Sequence, residues 1–387
     1  MATVGIIAEF NPLHKGHEYL INEAKKIGDV VCVISGNFVQ RGETAIAEKR
    51  IRAAAALKAG ADVIIELPVL WSMSTAQNFA LGGVSALMAA GCDTLMFGSE
   101  CGEVGELLKT AEILTSQEFS HALEKYLNSG VTFAAARQSA AEECGAAKGI
   151  LQGANNNLAI EYIIAAEALG ADFEFKTVKR RGADHDSAAI DEFVSASLLR
   201  ERLKAGDKEF CSRYMSEEIL SLFAENISET EKIEGGIISV LRMKSKENFE
   251  NLPDLSEGVE NKIFSAIRLA TSLEGLYNEI KVKRYTLARI RRLVLAAVLD
   301  FDNEFFMKPL PYVRVLGFNK NGEAVIRKAA KNSSVPIVMR PSEIENLPTT
   351  AQKVFKTECK ATDLFALSLI KPLPCGLEYT SKFIKTE

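Results

Sequence analysis

"VGIIAEFNPLHKGHEYL" (residues 4–20) places an apolar β-branched run, an Asn-Pro pair and two of the chain's four histidines in immediate succession. Val4–Ala8 has the unbroken apolarity of a strand buried on both faces, and the residues from the histidines onward have helical character. Asn11 before Pro12 reads as an N-cap followed by a proline at the first helical position, where a missing N–H costs nothing. The helix is therefore expected to begin at His14 and His17, directly beyond the strand. At i and i+3 the two imidazoles share one helical face at the positive end of the helix dipole.

The same alternation recurs. "DVVCVIS" (29–35), "ADVIIELP" (61–68) and "CDTLMFGS" (92–99) are apolar runs separated by helical stretches at about 18–28, 46–59, 76–90 and 103–115. Strands of this kind with helical crossovers predict a Rossmann-like α/β fold with a parallel sheet. Ligands in such sheets sit beyond the carboxyl ends of the strands, here "EFNPLHKGH", "SGNFVQRGE", "ELPVLWSMSTAQ" and "GSECGEVGE". From about 119 to 170 the pattern is helical and Ala-rich, and "DFEFKTVKRRG" (172–182) reads as one more strand running into a basic loop. Amphipathic helices dominate after about 207, with a few strands suggested near the end. The predicted division is a nucleotide-binding domain at 1–205 and a mainly helical C-terminal domain at 206–387.

A chain of 387 residues, 47% of them hydrophobic, can bury a large core. Its longest apolar stretches are broken by Asp or Glu before a membrane span is reached, and "MATVGIIAEF" lacks the basic start of a secretory signal. A cytoplasmic protein is expected. Seven scattered cysteines without a C-x-x-C spacing fit reduced thiols and not a disulfide frame or zinc knuckle. The net charge of −5 excludes a uniformly basic nucleic-acid coat but not one basic face.

For His14 and His17 a metal site fails on ligand count, since H-E-x-x-H is absent and only His121 and His185 remain elsewhere. Two readings stay open: a bland helix start, or an anion clamp in which Gly16 lets a ligand approach the backbone. No P-loop and no G-x-G-x-x-G follows any strand.

"GIIAEFNPLHKGH" resembles the H-x-G-H signature of the nucleotidyltransferase superfamily. Together with "SGNFVQRGE" (35–43), "FGSE" (97–100), "NNNLAIEY", "KRRGADHDS" (179–187), "VSASLLR" (194–200), "KRYTLARIRR" (283–292) and "PYVRVLGFNKNG" (311–322), it resembles the bacterial tRNA(Met) cytidine acetate ligase family over nearly the whole chain. The resemblance implies that acetate attacks the α-phosphate of ATP to give acetyl-adenylate. The acetyl group then passes to N4 of the wobble cytidine of elongator tRNA(Met), giving N4-acetylcytidine. Mg2+ is expected from triphosphate chemistry, with no protein carboxylate cluster assigned to it.

Carried over residue by residue, the resemblance implies an ATP site formed by Ile7, Ala8, Glu9, Phe10, Asn11, Pro12, Leu13, His14, Lys15, Gly16, His17, Glu18, Tyr19 and Leu20, with Gly98, Asn155 and Arg180. His14 and His17 would hold the phosphates during catalysis. Ala154 stands where the family usually has proline, so Asn155 and Asn156 compete for one role; Arg180 and Arg181 compete for another. Ser195, Ser197 and Arg200 match a triphosphate-binding box. Gln40 and Arg41 are candidates for orienting acetate or the incoming base. Lys283, Arg284, Arg289 and Arg292 are candidates for tRNA phosphate contacts on a helix whose buried stripe is predicted as Leu287, Ile290, Val294 and Ala297. A small-molecule adenylyl- or cytidylyltransferase would use the same histidines without a tRNA surface; an RNA-binding protein with a degenerate pocket would not need them intact.

Overall fold

The computed structural model describes residues 2–180, 194–255, 258–281 and 285–387. Ten strands are present among them: β1 (Ala2–Ala8), β2 (Gly28–Ser35), β3 (Phe38–Val39), β4 (Glu43–Thr44), β5 (Val63–Leu67), β6 (Thr94–Ser99), β7 (Glu174–Lys179), β8 (Val313–Phe318), β9 (Ile337–Val338) and β10 (Ile384–Lys385). The main sheet runs β10-β8-β5-β2-β1-β6-β7, with β9 also on β8, while β3 and β4 form a separate small hairpin. β5, β2, β1, β6 and β7 are mutually parallel. β1 is the switch point, because its successor β2 lies on one side and β6 on the other. A crevice opens at such a point beyond the carboxyl ends.

The strand alternation explains why both faces are covered. Val31 and Val33 enter one hydrophobic cluster with the helices Ala76–Ala89 and Ala154–Leu169. Val30, Cys32 and Ile34 enter the other with α1 (Lys15–Lys25) and α2 (Lys49–Lys58). Close approach at the switch point depends on small residues: a Cβ on Gly5 would stand 2.5 Å from Leu87 Cδ1, and one on Gly83 2.8 Å from Ile7 Cδ1. No helix among the described residues is long and apolar enough to cross a membrane.

The predicted division near 205 does not describe how the sheet is built. β8 lies antiparallel against β5 with Val63 opposite Phe318, and β10 adds beyond it, so the last part of the chain extends the sheet of the first. The helical region between them shares a hydrophobic cluster with one sheet face, through Ile237, Ile263, Leu276 and Val294. A boundary inferred from composition cannot see a strand that returns over such a distance.

The return is held by buried charge. Lys49 Nζ, with no exposed surface, contacts Glu66 on β5, Glu358 at 2.9 Å and Glu378, and Arg314 on β8 bridges Glu66 and Glu378. Glu358 also accepts from Val69 N–H at 2.7 Å, and Arg50 reaches Glu378 at 3.1 Å. Each of these three buried carboxylates thus has a cationic partner. These carboxylates form the one acidic trio among the described residues close enough to share an ion, and the Lys49 ammonium sits among them.

On the basic helix Leu287–Val298, Ile290, Val294 and Ala297 are buried as the stripe predicts, but Leu287 is 44% exposed. It occupies the first helical position, at the lip of a groove, where the stripe has not yet reached the core.

Replacing Lys49 by Met leaves three buried carboxylates with too few partners. Lys49→Met is expected to lower unfolding free energy by about 3–5 kcal/mol in urea titrations. Lys58→Met, which removes an exposed pair with Glu218, is expected to stay within about 0.5 kcal/mol.

Candidate active site

β1 ends at Ala8 and the chain turns at Phe10, whose φ of +47° lies in the left-handed region. Asn11 is not the helix cap. Its side-chain oxygen accepts from Ile46 N–H at 2.7 Å and its carbonyl accepts from Arg200 at 2.8 Å, across a cis bond to Pro12. The side chain is thereby spent on tethering the loop.

The cap is His14 itself. Its Nδ1 accepts from Gly16 N–H at 3.1 Å, while His17 Nδ1 accepts from His14 N–H at 3.4 Å, a reciprocal box in which both partners are imidazoles. An imidazole Nδ1 has the reach of an Asn oxygen, which is why a histidine can serve here. The consequence is chemical. With each Nδ1 accepting, the ring proton sits on Nε2, so both histidines are neutral N–H donors at their far edges. The rings lie with centroids 4.0 Å apart, and Phe10 packs edge-on against His17 at 5.1 Å.

Burial keeps them neutral. Desolvation, helped by Arg180, pushes His14 down to about 4, and desolvation with His14 and Arg180 holds His17 well below the usual imidazole range. Arg180 reaches this spot because β7 lies beside β6: Arg180 N–H donates to Ser99 O at 2.9 Å, next to Gly98. A Cβ on Gly98 would be 3.5 Å from Arg180 Cγ, so the absent side chain leaves the guanidinium arm room across the strand end. Gly98, Arg180 and the histidine pair therefore meet at the β1/β6 crevice. Arg181 and His185 lie outside the described residues.

Arg200 arrives from the other side. Ser195 caps the helix Ala196–Lys204 by accepting from Leu198 N–H at 3.3 Å, and Ser197 Oγ accepts from Arg200 at 3.0 Å. Arg200 also lies near Glu9, whose carboxyl is pushed up by burial and pulled back by the Gln40 N–H and by Arg200, Arg52 and Arg41. Glu9 accepts from Gln40 N–H at 3.0 Å, tying the "SGNFVQRGE" loop to the end of β1. Arg41 is exposed beside them.

Other predicted positions separate by environment. Phe10 and Leu13 are fully buried and Ile7 nearly so, which leaves their backbone as the part able to meet a ligand. Ala8 and Leu20 pack against the cluster beneath α1, and Lys15 is turned away, its Nζ donating to Arg213 O at 2.7 Å. Glu18 and Tyr19 follow on α1, Tyr19 41% exposed. Asn156 is buried and committed, accepting from Glu100 and Cys101 N–H groups and donating to Ile150 O. Asn155 is the more accessible amide, donating to Glu100 at 2.7 Å. Burial pushes Glu100 up, yet the donors from Asn155 and Asn156 outweigh it and hold that carboxylate below its ordinary value.

The four candidate tRNA cations divide as well. Lys283 and Arg284 lie outside the described residues. Arg289 and Arg292 both reach Asp254, at 3.1 and 3.4 Å, and Arg292 donates to Gln40 O at 3.1 Å. Asp254 carried no sequence signal, being one acid in a polar stretch. Arg52 was also missed. It is fully buried, and its guanidinium donates to the carbonyls of Ala47, Glu9, Ser35 and Gly36. Nothing in an Ala-rich helix marks one arginine as internal.

His14→Ala removes the cap and is expected to cost about 1 kcal/mol, while His14→Asn, whose oxygen replaces Nδ1, should restore most of it in thermal melts. The pH dependence has a definite sign. An unfolded His14 binds a proton near pH 6.5 and the folded one near 4. Its contribution is complete above pH 6.5 and is lost as pH falls towards 4, on the order of 3 kcal/mol in all. His14→Asn should flatten the stability profile in that window.

The family model described as HIGH Nucleotidyl Transferase matches residues 1–375. The tRNA(Met) cytidine acetate ligase of Thermoanaerobacter sp. (strain X514) is 38% identical over 402 residues, covering 100% of both chains. That of Clostridium novyi (strain NT) is 34% identical, covering 99% of this chain and 98% of its own. The crystal structure of Thermotoga maritima TmcAL bound with alpha-thio ATP superposes with a TM-score of 0.90 at 29% identity, covering 100% of this chain and 99% of that one. Matches over the full length, on a sheet whose switch point carries the histidine pair, leave one conclusion: the chain belongs to the tRNA(Met) cytidine acetate ligase family of HIGH nucleotidyl transferases, and is a ligase.

Proposed function

We propose that this ligase joins acetate to ATP as acetyl-adenylate and transfers the acetyl group to N4 of the wobble cytidine of elongator tRNA(Met), in the cytoplasm. The observation that carries the nucleotide half is the pair of neutral imidazoles whose Nδ1 atoms are both occupied by backbone N–H groups. They present Nε2–H donors beside Arg180 in the switch-point crevice, a preorganised arrangement for charge that develops on phosphate oxygens.

In the first step an acetate oxygen bonds to the α-phosphorus and the bond to the bridging oxygen breaks, releasing pyrophosphate. His14 and His17 donate to phosphate oxygens and transfer no proton. Arg180 and Arg200 balance the triphosphate charge, with Ser195 and Ser197 adding hydroxyls, and Asn155 and the bare strand at Gly98 adjoin the nucleoside. Arg41 and Gln40 orient acetate, a small anion that needs a cation. In the second step the N4 lone pair attacks the acyl carbon, AMP leaves with the acyl–oxygen pair, and N4 gives up a proton.

The described residues of the crevice supply no carboxylate cage for Mg2+, and the acidic trio elsewhere already encloses Lys49. Mg2+ would travel on the triphosphate, and no step here is routed through it. For tRNA, the basic helix with Lys283 and Arg284 is the proposed contact. Arg289 and Arg292 would exchange Asp254 for phosphate.

Incubation with ATP, labelled acetate and bacterial tRNA, followed by nucleoside analysis, is expected to place the label in N4-acetylcytidine. Acetate-independent transfer of AMP to a small molecule would overturn the reading. His14→Asn and His17→Asn keep the caps but lose the Nε2–H donors, and each should slow acetate-dependent ATP–pyrophosphate exchange by about 10²–10³-fold with tRNA affinity retained.

A further inference from the structure

We propose that the acceptor base, an unstacked cytosine, is seated in the groove between the helix Ala196–Lys204 and the helix Leu273–Ile280, with the flanking tRNA phosphates outside it. This rests on the ligase reading above. The groove has a volume of about 710 Å³, within the range of sites that hold a nucleoside-sized ligand.

Contiguity is the first argument. An acyl acceptor must come within about 3 Å of the reacting carbonyl, so its cavity must open onto the nucleotide crevice. Ser197 and Arg200 of the proposed triphosphate box line this groove, and Arg200 donates to Asn11 O in the histidine loop at 2.8 Å. One guanidinium therefore separates the two spaces.

Charge is the second. Five carboxylates line the groove against three cations. Two of those cations are already matched, Arg291 by Glu43 and Lys204 by Glu231 at 3.7 Å. Such a lining repels a phosphate backbone. It suits a base edge that offers an amino group, since cytosine N4–H₂ is the exocyclic donor that carboxylates accept. Cytosine O2 and N3 need donors, and Asn278 on one flanking helix and Arg200 on the other supply them. Access fits as well: N4 is paired or stacked inside a helix, and a base must leave the stack to be modified.

The test fills the groove from exposed positions. Asn278 and Glu274 lie one turn apart on the helix Leu273–Ile280 and are both exposed. Full-length Asn278→Trp and Glu274→Trp are expected to keep the parent's thermal midpoint and acetate-dependent ATP–pyrophosphate exchange. Acetylcytidine formation should fall by roughly tenfold or more, with tRNA affinity changed less than about threefold, because phosphates bind elsewhere. Undiminished acetylation in both variants would overturn the assignment, as would loss of exchange or a large loss of salt-sensitive tRNA affinity. Absence of acetate-dependent exchange in the parent is the distinct result that overturns the ligase reading, and the groove assignment with it.

Discussion

Arg52 is the constraint on which the site depends. It has no exposed surface, and its guanidinium collects the carbonyls of Glu9 at the end of β1, Ser35 and Gly36 at the end of β2, and Ala47 before its own helix. Those strand ends would otherwise carry buried carbonyls without donors, each a substantial cost. Burial pushes this guanidinium down only to about 10, so it stays charged at neutral pH and its bonds remain charge-assisted. Three residues earlier on the same helix, Lys49 holds the carboxylates that bring the C-terminal segments onto the sheet. One face of α2 thus carries two internal cations, one fixing the crevice and the other the sheet edge.

Above this frame two kinds of hydrogen-bond donor line the crevice. Arg180 and Arg200 bring guanidiniums, whereas burial keeps the histidines neutral, so that they offer only oriented N–H dipoles. A protonated pair of imidazoles at 4.0 Å beside Arg180 would repel strongly in a dry site. Oriented neutral donors avoid that repulsion while keeping their direction, which the backbone caps enforce. Stabilisation of this type needs little reorganisation when a ligand arrives.

Much of the fold was legible because strands buried on both faces leave a continuous apolar run, as β1, β2, β5 and β6 do, whereas β7, half-buried at the sheet edge, was legible only as a short strand running into a basic loop. The histidine pair was legible because a strand, a turn and a helix start are local events. The details of that start were less so: Asn11 looks like a cap but is drawn to Ile46, and His14 takes the role. The basic helix shows the same limit. Its arginines are obvious in sequence, but Asp254 and Glu43, which hold three of them, come from segments distant along the chain, and no local pattern pairs them with this helix.

The sequence by itself determined the α/β class and the place of the histidine pair just beyond the first strand, because these follow from hydrophobic period and from motifs a few residues long. Only the tertiary structure decided the rest. It placed β8 beside β5, put Lys49 among three carboxylates, and turned the groove beside Arg200 towards the helical half. It also made the two histidines neutral donors, by desolvating them and occupying both Nδ1 atoms. Protonation state and pairing depend on which groups share a low-dielectric space, and that is settled only when remote segments pack together.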